Sequence, residues 1–167
     1  MSNTSNELPN RLETLLAAGA SGMDSSLEAI AAEFDAVTAT VHRIDDSGDF
    51  LILVSSRGLP EKIVAITRKI PVGKGMAGLC AARRAPVSVC NIQEDDSGTA
   101  RPGAKQTGAG GGIVVPIFTG ESDLLGTLGI GKPHEHEYTA DETALLERCA
   151  SVLGSALPST DESSSDS

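Results

Sequence analysis

Three glycines, Gly73, Gly75 and Gly78, have the spacing G-x-G-x-x-G within the segment PVGKGMAGLC. In a dinucleotide-binding domain, this spacing lets the backbone approach a pyrophosphate at the start of a helix. That chemistry requires a buried parallel strand before the turn and an acid about 20 residues later, near the position of Glu94. The preceding segment, TRKIPVG, is short, charged and interrupted by Pro71, which favours an edge strand. We therefore interpret the glycines as structural residues of a tight turn into a helix.

The cysteines and one histidine are the next residues that could do chemistry. Cys80, Cys90 and Cys149 are widely spaced and include no C-x-x-C pair. The sequence therefore predicts small buried hydrophobic residues rather than a disulfide framework or a zinc site. His42 lies in the alternating segment AVTATVHRID and falls on one face of a predicted strand. We interpret it as a packed or surface histidine rather than a ligand.

The other two histidines, His134 and His136, form an H-x-H motif. A metal site built on them would need a further ligand, and none is evident in the sequence. Clusters of histidines and acids in a turn are usually solvated, so we predict no metal site here.

The composition restricts the classes of partner. The chain has 167 residues and a formal net charge of −10, with three Phe, one Tyr and no Trp. Nucleic acids and anionic membranes would repel that charge, and few aromatic side chains are available to stack on bases. No run approaches the roughly 20 apolar residues of a membrane span, and the opening MSNTSNELPN does not resemble a signal peptide. We expect a cytoplasmic protein without nucleic-acid or membrane partners.

Helical patterns lie towards the two ends of the chain. Leucines recur at helical spacing within residues 8–20, which predicts a first helix. Ser25 begins an S-x-x-E capping box, which predicts that a second helix starts there and continues through Phe34. Thr139 begins a T-x-x-E box, which predicts a last helix running to about Leu157.

The chain ends have the composition of tails. Residues 1–7 are mostly polar, and residues 158–167 are acidic and rich in serine. Neither end offers enough apolar surface to offset its ordering entropy. We predict one domain over residues 8–157 between two flexible tails.

The strand patterns come as two hairpins. Residues 36–45 alternate, a DDSGD turn follows, and residues 50–54 form an apolar run, which predicts a hairpin with a well-buried second strand. GGIVVPIF and LLGTLGIG form a second hairpin around residues 120–123, with a bulge or an unpaired position at Pro116. Hairpins combined with terminal helices predict a largely antiparallel sheet with helices packed on one face.

Three segments resemble GAF domains. IPVGKGMAGLCAARRAPVSVCNI is similar to the family's strand, glycine turn and short helix, and GGIVVPIF, LLGTLGIGK and YTADETALLERCASVLGSAL are similar to its final hairpin and terminal helix. The resemblance covers roughly residues 25–157. It implies an α+β, profilin-like fold with about six antiparallel strands. The terminal helices would pack on one face, and a loop and a helix would cover a small-molecule pocket on the other.

Residues near the C-terminus partly match the motif of cyclic-nucleotide-binding members. That motif is Asn-Lys, a later Phe, and Asp-Glu after three more residues. Here Gly131-Lys132, Tyr138 and Asp141-Glu142 correspond, with Gly for Asn, Tyr for Phe and one residue fewer before the acids. We interpret Lys132 as a partner of Asp141 or Glu142 that fixes the last strand to the last helix, and we do not predict cyclic nucleotide binding.

The enzymatic members are free methionine-(R)-sulfoxide reductases. The resemblance implies that such an enzyme needs a nucleophilic cysteine before the penultimate strand, a resolving cysteine, and carboxylates that bind the amino acid. Here the corresponding loop, ARPGAKQTGAGGG, has no cysteine, and the last strand reads LGIG (128–131) where the family's aspartates would lie. Cys80 and Cys90 fall outside those positions. We predict a non-enzymatic protein and keep a reductase with displaced cysteines as the alternative.

Residues 94–112, EDDSGTARPGAKQTGAGGG, correspond to the family's pocket lid. Six glycines make regular structure improbable there, so the segment is either a gate over a pocket or a disordered crossing loop. Arg101 and Lys105 are its only cations; they either face an anionic ligand or balance the neighbouring acids on the surface. The candidate lid residues are Arg101, Lys105, Gln106 and Thr107.

The sequence thus predicts a stand-alone GAF-like sensory or regulatory domain with an unidentified small-molecule ligand. No haem, bilin or nicotinamide signature is present, so the cofactor is unknown. We expect output through a homodimer formed by the terminal helices or through a partner signalling protein. A dimerisation scaffold without a ligand is the third alternative.

Overall fold

The computed structural model describes residues 4–19, 21–94, 109–119 and 123–157. Its strands are β1 (Thr38–Ile44), β2 (Phe50–Arg57), β3 (Lys69–Pro71), β4 (Val87–Val89), β5 (Gly112–Thr119) and β6 (Asp123–Gly131). Its helices are α1 (Thr4–Ala17), α2 (Gly22–Phe34), α3 (Glu61–Thr67), α4 (Gly75–Arg83) and α5 (Ala140–Gly154), with a 3₁₀ turn at Ile92–Glu94.

The described strands form one six-stranded sheet in the order β3-β2-β1-β6-β5-β4. Every neighbouring pair is antiparallel. The α+β architecture with an antiparallel sheet of about six strands is therefore confirmed. β3 is an edge strand of three residues, as the charged segment with Pro71 predicted.

The helices α1, α2 and α5 cover one face of the sheet and enclose a continuous apolar core. Alternate residues of the central strands point into it because side chains change face at every position. Val41 of β1, Val115 of β5 and Leu128 of β6 are fully buried there, together with Leu12 of α1 and Leu146 of α5. The predicted placement of the terminal helices on one face is confirmed.

The other face of the sheet is covered by α4, which contacts β2, β3, β4, β5 and β6. This helix follows directly from the glycine turn after β3. Gly73 has φ +98° and Gly75 has φ +68°, conformations that L side chains rarely adopt. A Cβ on Gly78 would lie 2.5 Å from the Pro71 carbonyl oxygen. The turn therefore holds α4 tightly against the end of β3.

Two predicted helix starts are wrong. α1 begins at Thr4, so residues 4–7 are helical rather than part of a tail; Glu7 in the first turn suits the positive end of the helix dipole. α2 begins at Gly22, so Ser25 lies inside the helix and caps nothing. A Cβ on Gly22 would lie 2.5 Å from the Leu15 carbonyl oxygen. A tight contact between α1 and α2 fixes this start, not a cap.

Two details of the strands and the end of the last helix also differ from the predictions. In β2 only Leu51 and Ser55 are buried, because its outer neighbour β3 is just three residues long. The irregularity predicted at Pro116 lies one residue further on, between Ile117 and Phe118 in the pairing of β5 with β6. The last helix ends at Gly154 rather than at about Leu157.

Candidate functional site

The α4-facing side of the two central strands is polar, unlike the helix-packed side. Pairing of β1 with β6 places Thr38 opposite Gly131, Thr40 opposite Gly129 and His42 opposite Thr127. Their neighbours Val41 and Leu128 point into the core on the other face, so these residues share the α4 side. We call them the polar strip: Thr38, Thr40, His42, Thr127, Gly129 and Gly131.

Two apolar clusters lie on either side of the polar strip. Leu51 and Ile70 form a cluster with Ala81 of α4 on the β2–β3 side. Val87 and Val114 form another with Cys80 of α4 on the β4–β5 side. Since α4 contributes to both clusters, it crosses over the strip from one side to the other.

Two buried polar atoms of the strip have no hydrogen-bond partner. His42 is 2% exposed, and its Nε2 lies 2.9 Å from the Thr67 carbonyl oxygen. A carbonyl only accepts, so Nε2 carries the hydrogen and Nδ1 of the neutral ring is an acceptor. That Nδ1 is unpartnered, and so is Oγ1 of Thr127, which is 1% exposed. Across the described residues, the third such atom is Oγ of Ser26 in α2.

Burial keeps the His42 ring uncharged. Loss of solvent lowers the pKa of His42 below its ordinary value of 6.5, and the hydrogen bond to Thr67 opposes that shift only in part. At neutral pH, the ring therefore offers one donor, already used, and one free acceptor.

The glycines of the strip leave space for the threonine hydroxyls. A Cβ on Gly129 would lie 3.3 Å from Oγ1 of Thr40, and one on Gly131 would lie 2.7 Å from Oγ1 of Thr38. These two glycines occupy the LGIG segment, where the reductase resemblance implies carboxylates. No side-chain charge is supplied from these two positions of β6.

The two ends of the predicted lid segment meet beside the strip. Ile92 N–H donates to the Gly110 carbonyl at 2.7 Å, and Nε2 of Gln93 donates to the Ala109 carbonyl at 2.9 Å. Ala109 lies next to the strip, because its Cβ would be 2.9 Å from a Cβ on Gly131. The candidate lid residues Arg101, Lys105, Gln106 and Thr107 lie outside the described residues.

Lys132 contacts a different element from the one predicted. It is 8% exposed, and its Nζ donates to the Phe34 carbonyl at the end of α2. A cation at this position suits the negative end of the helix dipole. Within the described part of the chain, the predicted direct ion pair with Asp141 or Glu142 is replaced by this bond. Asp141 is exposed in the first turn of α5.

Glu142 lies at the centre of a cluster at the start of α5. Its carboxylate accepts from the Thr139 N–H at 2.8 Å and lies 2.9 Å from Nε2 of His136. Thr139 Oγ1 accepts in return from the Glu142 N–H at 3.1 Å, so the predicted capping box is confirmed. Partial burial would raise the pKa of Glu142, but Thr139, His136 and the charge of Lys132 together lower it.

Tyr138 connects this cluster to the segment beside the strip. Its hydroxyl donates to the Gly111 carbonyl at 2.9 Å, and its ring packs edge-on against His136 at 4.7 Å between centroids. Burial, with the charge of Glu142, raises the pKa of Tyr138, so the hydroxyl stays protonated. The end of the lid segment is therefore bonded to Tyr138, just before α5, and reaches Glu142 through His136.

The histidines and cysteines outside the strip show no reactive arrangement. His134 is exposed, and the described residues include no group of three or more metal-ligating side chains. Burial raises the pKa of Cys80 and of Cys149 to about 12. The prediction of a buried residue is wrong for Cys90, which is exposed on the segment after β4. Partial desolvation and the charges of Glu135 and Glu137 raise its thiol pKa as well. All three thiols are protonated at neutral pH.

The residues of the strip are the part of the site that the sequence interpretation missed. Thr127 carries no prediction from the sequence, whereas the interpretation of His42 as a packed histidine agrees with its burial. The signal was present in the last strand, where polar or glycine residues alternate with Leu128 and Ile130. It became informative only when the register placed Thr127 beside His42.

A glycine turn that binds a dinucleotide is not compatible with this fold. The strand before it, β3, is an antiparallel edge strand. The Gly73 N–H, which would face a phosphate, donates to the Gly78 carbonyl at 2.8 Å. That N–H group is thus satisfied within the turn itself.

Comparison with known proteins identifies the family. The GAF domain family model matches residues 23–157. Among curated proteins, none matches the chain. No described helix is long and apolar enough to cross a membrane.

Solved structures agree on the fold. The GAF domain of a phosphoenolpyruvate-protein phosphotransferase from Coxiella burnetii matches with a TM-score of 0.77 and 19% identity, over 91% of each chain. A free methionine-R-sulfoxide reductase from Neisseria meningitidis, solved with its substrate, matches with a TM-score of 0.75 and 18% identity, over 95% of this chain and 91% of that one. The reduced enzyme of this type from Staphylococcus aureus has a TM-score of 0.67 and 20% identity, over 92% and 94%. At these identities, the likeness shows the fold alone.

Proposed function

The chain belongs to the GAF domain family, and from that membership we propose that it is a sensory or regulatory domain that binds a small molecule between the polar strip and α4. One observation carries the proposal: the apolar packing of this face is split around a strip that holds two buried, unpartnered polar atoms. Each such atom costs about 1–3 kcal/mol when it stays unpaired. A ligand that pairs with them recovers that free energy.

The proposed output runs through α5. The described contacts link the segment at Gly111 to Tyr138, and through His136 to Glu142 in the first turn of α5. A ligand that changes the position of the lid can shift the packing of α5 only if it binds one arrangement more tightly than the other. We propose that α1, α2 and α5 pass this shift to a second copy of the chain or to a partner signalling protein. Arg101, Lys105, Gln106 and Thr107 remain proposed lid contacts to the ligand.

The reductase alternative has the structural likeness in its favour and the thiol chemistry against it. A nucleophilic cysteine must be a thiolate, and burial raises the pKa of Cys80 to about 12, so that its thiol is protonated at pH 7. Gly129 and Gly131 also place no carboxylate on the strip for the amino acid. We therefore propose a non-enzymatic role.

Native mass spectrometry of the full chain tests the proposal. We expect a small molecule retained by the folded protein and released by acid. The same sample, incubated with free methionine-(R)-sulfoxide and a thioredoxin system, should give no turnover above the protein-free control. Turnover that Cys90→Ser abolishes would establish the reductase alternative. A mass that grows with protein concentration, without any ligand in the native spectrum or in a metabolite thermal-shift screen, would instead establish the dimerisation scaffold.

A further inference from the structure

His42 and Thr127 form a pair across the two central strands. They are direct register partners on β1 and β6, and they lie on the α4 side of the sheet. Side chains in this relation have Cβ atoms about 4.5–5.5 Å apart. The two unpartnered atoms, Nδ1 and Oγ1, thus belong to adjacent side chains, and a single small chemical group could pair with both.

The hydrogen-bond inventory of the pair defines what that group must offer. Nε2 of His42 is committed to the Thr67 carbonyl, so Nδ1 can only accept. The Thr127 hydroxyl can donate one hydrogen bond and accept others. A complementary group donates to Nδ1 and accepts from Oγ1 at adjacent atoms, as the N–H and C=O of an amide or a cyclic imide do.

The lack of charged side chains in the polar strip narrows the chemical class of the ligand group further. The polar strip contains no Asp, Glu, Lys or Arg, and both members of the pair are at least 98% buried. A charged ligand group placed here would lack a counter-charge among these six residues, and an unpaired buried charge is strongly unfavourable. The group that meets the pair is therefore uncharged, whatever charge the rest of the ligand carries towards the lid.

We propose that His42 and Thr127 are the recognition pair of the ligand site, selecting an uncharged group with adjacent N–H and C=O, such as an amide or cyclic imide. This inference rests on the proposed function and names the ligand chemistry of the same site. The opposing interpretation is that His42 is structural: its bond to Thr67 holds the end of α3, and water or nothing contacts Nδ1. The two interpretations differ in which nitrogen of the ring matters.

Two substitutions at His42 test the roles of the two ring nitrogens separately. Glutamine has four bonds from Cα to its amide nitrogen, as histidine has to Nε2, so His42→Gln keeps the donor to Thr67 and removes the Nδ1 acceptor. Asparagine has three bonds from Cα to its amide oxygen, as histidine has to Nδ1, so His42→Asn keeps an acceptor there and removes the donor. If Nδ1 recognises the ligand, the His42→Asn variant should bind it more tightly than the His42→Gln variant. If His42 is structural, the His42→Gln variant should bind it more tightly.

The experiment uses the full chain labelled with ¹⁵N-histidine and small probes in matched pairs. Acetamide, 2-pyrrolidinone and uracil carry the adjacent N–H and C=O, while N,N-dimethylacetamide, N-methylpyrrolidinone and 1,3-dimethyluracil lack the N–H. We expect at least one probe of the first set to shift the Nδ1 resonance of His42 saturably, and its methylated partner to bind at least tenfold more weakly. His42→Gln and Thr127→Val should each weaken binding at least tenfold.

Ser26→Ala is the matched control. It removes the buried hydroxyl that, besides Thr127, lacks a partner in the described part of the chain; Ser26 lies on the helix-packed side of the sheet, so probe binding should be unchanged. Thr127→Val keeps the shape of the side chain and removes an unsatisfied hydroxyl, so we expect it to fold even if His42→Gln does not.

The outcomes also distinguish this inference from the proposed function. Equal binding of the methylated probes, binding that survives both Thr127→Val and His42→Gln, or an Nδ1 resonance that no probe moves would overturn the recognition pair. If a metabolite found by native mass or thermal shift still binds both variants as the unmodified chain does, the sensory proposal stands and only this inference fails. If no metabolite and no probe binds the unmodified chain, both proposals fail.

Discussion

At the scale of single residues, His42 is a titratable side chain that the fold removes almost completely from water. It is buried, its ring is neutral, and its pKa is lowered first by desolvation. In the unfolded chain, the ring takes up a proton near pH 6.5, while the folded chain resists protonation to a lower pH. Between these two values, the unfolded state binds more protons, so the stability of the fold decreases as the pH falls.

We predict that His42→Gln removes this part of the pH dependence. Between pH 7.5 and 5.5, the unmodified chain should lose up to about 1.4 kcal/mol more of its unfolding free energy than the variant does. Urea unfolding at both pH values measures the difference. His134→Gln, at an exposed position, is the control and should behave as the unmodified chain. Parallel losses in all three proteins would show that His42 titrates normally.

At the scale of elements, the capping box of α5 is the local motif that both sequence and structure identify. Thr139 and Glu142 satisfy each other's N–H groups, and the same carboxylate binds His136. The first turn of α5 is thus also bonded, through His136, to the turn after β6. Loss of the cap should affect both the helix and the contact at Gly111.

We predict that Thr139→Ala lowers stability by about 1 kcal/mol, the usual effect of losing an N-cap side chain. For a domain of this size, that corresponds to about 2–4 °C in melting temperature. Ser151→Ala, at an exposed position inside the same helix, should instead leave stability unchanged or raise it slightly, since alanine is the better helix former. A melting temperature unaffected by Thr139→Ala would show that the cap contributes nothing in the folded protein.

At the scale of the whole molecule, the two faces of the sheet have different physical roles. The helix-packed face is one continuous apolar core, and the α4 face is divided into small clusters around the polar strip. Thr127 and Leu128 are neighbours in sequence and point to opposite faces. The first is proposed to serve binding, and the second serves stability.

We predict opposite results for substitutions at these two neighbours. Leu128→Ala should lower the unfolding free energy by about 2–5 kcal/mol, because it removes fully buried methyl groups from the core. Thr127→Val should leave stability unchanged or raise it, because it removes an unpaired buried hydroxyl. Chemical denaturation of both variants measures this. A large loss of stability in Thr127→Val would mean that its hydroxyl is paired in the folded protein.

The sequence by itself determined the two hairpins, the antiparallel sheet with the terminal helices on one face, and the cap at Thr139. These features follow from patterns among residues close in the chain, namely the alternation of apolar and polar residues, the helical spacing of apolar residues, and capping boxes. They also account for the glycine turn, where Gly78 allows close contact with Pro71.

Only the tertiary structure decided which residues of distant segments contact each other. The start of α2 at Gly22 depends on its contact with α1, and the partner of Lys132 is the end of α2 rather than an acid of α5. The pairing of His42 with Thr127 depends on the register of strands 85 residues apart in sequence, in which a shift of one residue would turn either side chain to the other face. Such contacts are set by how the whole chain packs, because no local pattern in the sequence encodes the register between β1 and β6.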